Sequence, residues 1–122
     1  MAIQQQVHDK FKVFVGSSIE DLSSQVAQFT SGSTIAAKSI GVEFLEAAST
    51  LVVSLGYRDD ETGYGAKLSA KSAGVLDFGS AASIAALEAA LSEGAASSGD
   101  VICHELYVTG SGEAFTVFLS KA

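Results

Sequence analysis

Proline and tryptophan do not occur in this 122-residue chain, and cysteine and arginine occur once each. The lone cysteine, Cys103, rules out an internal disulfide and fits a reducing compartment. Positive charge is also scarce: 7 Lys and Arg stand against 14 Asp and Glu, a net charge of −7. Nucleic-acid binding rests on cationic contacts to phosphate, and no basic cluster exists to make them. Anionic membrane surfaces are disfavoured for the same reason. No apolar run approaches membrane-spanning length, and the start "MAIQQQVHDKFK" lacks the basic-then-apolar order of a signal peptide. Two histidines and one cysteine do not readily assemble a structural zinc site or a Cys-His-Asp arrangement. Without a proline at position 2, the amino-terminal base of β-α-β tautomerases is missing too. The expectation is a soluble cytoplasmic protein, or a virion component if the source is a phage. No cofactor, metal, nucleic-acid partner or membrane partner is expected.

What the chain does have is apolar patterning. It is 48% hydrophobic, enough for one globular domain spanning residues 1–122. "KFKVFV" alternates Phe11, Val13 and Val15 against Lys10, Lys12 and Phe14, which predicts a strand burying the first set. "GSSIEDL" opens a helix, with Ser17 and Glu20 at capping-box spacing and Ser18 as the competing N-cap. Ile19, Leu22, Val26 and Phe29 form its apolar stripe, and Gly32 supplies a stop. "SIGVEFLEA" and "STLVVSLGY" alternate as two strands joined near Ala48 and Ser49. The order then recurs. "AGVLDFG" reads as a strand with Leu76 and Phe78 on one face. Ser83 is positioned to cap a helix carrying Ile84, Leu87 and Leu91, with Gly94 as its stop. "DVICHELYVTGSGEAFTVFLS" reads as a hairpin turning at Gly110-Ser111-Gly112. These spacings predict an α+β fold: two βαββ repeats, about 10–58 and 66–121. They would form one mostly antiparallel six-stranded sheet with two helices on one face, the repeats related by a pseudo-two-fold.

The charged stretch "GYRDDETGYG", Gly56 to Gly65, falls between the repeats and reads as an exposed connection. Asp59, Asp60 and Glu61 are consecutive and lack the spaced pattern of a calcium loop. As a ligand site its candidates are Tyr57, Arg58, Asp59 and Tyr64, joined by His104 and Glu105 if the sheet brings the hairpin ends together. Arg58 would be the bidentate donor to a carboxylate or phosphate. On a strand, His104 points opposite to Cys103 and Glu105, so "CHE" does not converge on one centre and no catalytic residue is assigned. The amide groups at "VGSSIEDL" could hold a phosphate, but Glu20 and Asp21 already place negative charge there.

Phe14, Leu45, Val52, Tyr107 and Phe118 fall out of phase with the main stripes of their strands. They are the expected interface residues of a homo-oligomer, in its simplest form a two-fold dimer. The helix "SAASIAALEAALSEGAASS" presents Ala and Ser where charge normally sits. A non-enzymatic structural or scaffolding protein, such as a virion or coat-like assembly component, would suit this composition. The alternative is a small-molecule-binding protein or enzyme with its site between subunits near residues 56–65.

Two resemblances accompany this reading. "KVFVGSSIEDLSSQVAQF", with "SIGVEF" and "STLVVSLGYR", resembles a family of small one-repeat βαββ sporulation proteins, which implies that fold for the first half and no catalytic residues. "VFVGSSIEDL" is similar to the first strand and loop of TIR-like nucleotide-binding proteins, which would imply a parallel five-stranded sheet.

Overall fold

A computed structural model describes residues 10–31 and 34–122. The fold is α+β: β1 (Lys10–Gly16), α1 (Ile19–Thr30), β2 (Ile35–Leu45), β3 (Thr50–Asp59), β4 (Ala66–Val75), α2 (Ala81–Ser98), β5 (Val101–Val108) and β6 (Glu113–Lys121). The order βαββ thus occurs twice. All strand pairs are antiparallel, in two three-stranded sheets ordered β1-β3-β2 and β4-β6-β5. The single six-stranded sheet expected from the sequence is therefore split in two, and the parallel sheet of the TIR-like resemblance does not occur among the described residues.

Local signals place most of the elements. Ser18, not Ser17, caps α1, its hydroxyl accepting from the Asp21 amide at 3.1 Å. Ser80, not Ser83, caps α2, accepting from the Ser83 amide. A 3-10 turn at Glu46–Ala48 and a left-handed Ser49 close the first hairpin, and Gly112, at φ 88°, closes the second. β4 ends at Val75, so Leu76 and Phe78 lie beyond it. Gly94 does not stop α2, which runs on to Ser98. The expected stop at Gly32 lies outside the described residues.

Each hairpin carries a bulge, between Ala37 and Ser39 in the first and between Val101 and Cys103 in the second. The extra residue is Lys38 or Ile102 respectively. The two irregularities fall at matching places in the two hairpins, while β4 carries a further one between Ser72 and Gly74 that β1 lacks.

The inner faces of both sheets and one stripe of α1 make a single core. Phe14, Ile40, Val42, Leu51, Val53 and Leu55 of the first sheet meet Leu68, Val117 and Leu119 of the second, with Leu22 and Val26 between them. β2 and β5 lie side by side, Phe44 meeting Tyr107 edge-on at 6.4 Å. α1 wedges between β1 and β4 and covers the open edge of β4. There Ser23 Oγ accepts from the Leu68 amide at 3.0 Å and Thr30 Oγ1 from the Ala66 amide at 2.8 Å. An unpaired strand edge is thus satisfied by a helix.

α2 lies on the far face of the second sheet, over β4 and β6. The helices therefore do not share one face, and the expected pseudo-two-fold fails. α1 packs on both sheets, whereas α2 makes no comparable contact with the first. No helix among the described residues is long and apolar enough to cross a membrane.

Candidate functional site

The connection between the repeats is tied down by its own polar groups. Asp60 Oδ1 accepts from the Thr62 amide at 2.9 Å and from its hydroxyl at 2.7 Å. These bonds to the ionised form hold the Asp60 carboxyl below its ordinary value. The Asp60 amide donates to Thr34 O, the Tyr64 amide to Ile35 O and the Tyr64 hydroxyl to Ala37 O. Gly63 passes so near Ile35 that a Cβ would stand 2.5 Å from its backbone. Burial pushes the Tyr64 phenol up, while Lys121 Nζ sits 4.5 Å from its ring centre.

The six ligand candidates do not meet. Tyr57 turns inward onto Phe29, ring centres 5.2 Å apart. Arg58, on the opposite face of β3, pairs with Asp60 at 3.6 Å, and Asp59 pairs with Lys10. His104 is exposed on the outer face of the second sheet beside Phe118, while Glu105 faces inward with Cys103. Burial raises the Cys103 thiol, the opposite of what a nucleophile needs. No group of three metal-ligating side chains converges among the described residues. His8 lies outside them.

The surface that stands out is apolar. Phe11, Val13 and Val15 share the outer face of the first sheet and are 65%, 57% and 53% exposed. Across β3 and β2 this face continues through Val52, Ser54 and Gly56, then Gly41 and Glu43, with exposed Leu45 at its end. Its middle is shallow, since Gly41 already meets Ser54: an added Cβ would lie 2.9 Å from the Ser54 hydroxyl. Neither helix packs on this face.

The expected phase of β1 is therefore reversed. Phe14 is core and Phe11, Val13 and Val15 are outside. The inner face accepts Lys12 because its stem lies along α1, placing Nζ 5.7 Å from the Phe29 ring centre. Alternation gives the period of a strand, but not which parity finds a partner. Of the five expected interface residues, only Leu45 and Val52 lie on this outer face of the first sheet. Phe14 is buried in the core, Phe118 is buried beneath α2, and Tyr107 turns inward against Phe115 and Phe44.

A second bare region lies at the other end of the molecule. Leu106 and Val108, on the outer face of β5, are 41% and 42% exposed, with Ile84 of α2 exposed as well. Between α2 and β5 runs a groove of about 240 Å³, lined by Leu91, Ala95, Val101, His104 and Phe118.

No family model, curated protein or solved structure matches this chain. Its surfaces must speak for its function.

Proposed function

We propose that this chain is a non-enzymatic, self-associating structural or scaffolding protein, a small building block of the coat-like kind. The observation that carries the reading is the row Phe11, Val13 and Val15, more than half exposed on a sheet face that neither helix covers. Contiguous apolar surface of this kind marks an interaction site. The polar groups near residues 56–65 favour a tied connection over a ligand site, because Asp60 is engaged by Thr62 and Arg58 and the loop backbone by Thr34 and Ile35.

Covering Phe11, Val13, Val15 and Leu45 would remove roughly 400 Å² of apolar surface from water and, at ~25 cal/mol per Å², contribute about 10 kcal/mol. Association costs an estimated 4–15 kcal/mol. The two are comparable, so assembly depends on concentration. Light scattering across micromolar to millimolar protein should report a mass that climbs above 12.4 kDa. Val15→Asp should suppress the climb. A 12.4 kDa species throughout would defeat the reading.

A further inference from the structure

The junction between the two repeats leaves its two halves open at opposite ends of the molecule. Superimposing the hairpins at their bulges sets Val42 against Leu106, Phe44 against Val108 and Gly56 against Leu119. The flanking registers then set Phe11, partner of Gly56, against Leu68, partner of Leu119. Inside the molecule, Val42 and Leu68 are buried and Phe44 packs on Tyr107 at that junction. Their counterparts Leu106, Phe11 and Val108 are large apolar residues exposed at 41%, 65% and 42%. The outer face of the first sheet thus corresponds to the inner face of the second. Likewise, the outer face of the second corresponds to the inner face of the first.

The helices follow the same rule. Glu20, Ser23, Ser24 and Ala27 form the flank of α1 that lies along Leu68 and Ala70 of β4. Matching Leu22 and Val26 to Leu87 and Leu91 sets Ala85, Glu88, Ala89 and Ser92 on that flank of α2, where all four are exposed. A helix with apolar residues on every side belongs between two layers, and α2 has a layer on one side only.

Resting on the self-association reading, we propose that a second copy of the chain docks head to tail. The exposed flank of α2 and the outer face of β5 in one molecule cover the outer face of β1, β3 and β2 in the next. The contact repeats between molecules the junction that joins the repeats within one. Such a contact is heterologous, so it propagates into a filament or closes as a ring. It also explains with one interface why both bare regions exist. A helix and a strand laid across a three-stranded sheet cover on the order of 800 Å² per partner, the standard size for a specific contact. A stack of this kind obeys repeat-protein logic, with each unit held by its neighbours.

Two exposed substitutions test it: Val13→Asp on the sheet face and Ala89→Arg on the helix flank. Both variants should keep the circular dichroism and melting profile of the unmodified protein. Sedimentation velocity should show the unmodified chain growing past the dimer with concentration, and each variant alone as a monomer. An equimolar mixture should stop at a dimer, because one intact helix flank meets one intact sheet face. If Val13→Asp is monomeric while Ala89→Arg still forms a dimer and nothing larger, the contact is sheet to sheet. Head-to-tail docking is then overturned while self-association stands. Two monomeric variants that fail to pair on mixing would overturn it too, as would two variants that assemble like the unmodified chain. An unmodified protein that stays monomeric to millimolar concentration overturns both proposals.

Discussion

Gly94 of α2 and Phe118 of β6 approach so closely that a Cβ on Gly94 would lie 2.5 Å from Phe118 Cε2 and 3.0 Å from Lys71 Cβ. The glycine is a contact point between helix and sheet. In an open helix interior, Gly→Ala stabilises by about 1 kcal/mol. Here Gly94→Ala should instead destabilise by about 2 kcal/mol, because the ring has to move within a packed layer. Phe118→Leu should recover part of the loss in the double variant. Urea unfolding of the four proteins checks this, and a Gly94→Ala as stable as the parent would refute it.

Thr116 should be improvable. Its hydroxyl is buried with no hydrogen-bond partner, and superimposing the repeats sets it against Val53, a fully buried residue of the first sheet. Removing an unpartnered buried hydroxyl at constant shape gains free energy. Thr116→Val should raise stability by about 1 kcal/mol, seen as a later urea midpoint at unchanged slope.

Thr30 should be intolerant of the same change. Its hydroxyl donates to Val26 O at 2.8 Å and accepts from the Ala66 amide at 2.8 Å, fully buried. Thr30→Val keeps the shape but leaves that amide without its acceptor, at a cost of about 2 kcal/mol. Hydrogen exchange at Ala66 should accelerate more than at Leu68, whose amide still has the Ser23 hydroxyl. Equal acceleration at both would argue against a local loss.

Asp60 should titrate below the ordinary aspartate range. Its folded value is depressed, first by the Thr62 hydroxyl and then by the Thr62 amide. The contribution of these bonds to stability is present above the unfolded value and is lost as pH falls through the lowered folded one. Carboxyl chemical shifts should give a midpoint below that of an ordinary aspartate. Thr62→Ala should bring it back upward; an unmoved midpoint would remove Thr62 as the cause.

Much of the architecture was legible along the chain. Residues two or four apart make strand and helix periods, and Ser18, Ser49 and the Gly110–Gly112 turn act on their own neighbours. Such short-range chemistry is enough to yield βαββ twice. What it could not yield was which face of each element is covered, since that depends on residues far along the chain. Phe14 is core because Phe29 packs on its ring at 5.8 Å, leaving Phe11, Val13 and Val15 outside. Gly94 looks like a helix stop until Phe118 is placed beneath it. The candidate ligand residues clustered along the chain and then separated, because Tyr57 and Arg58 leave opposite faces of one strand. The division of six strands into two sheets, and of two helices into one packed on both sheets and one on the far face of the second, was likewise decided only in three dimensions. Burial is won where distant surfaces meet, and local sequence carries the period of a surface without its partner.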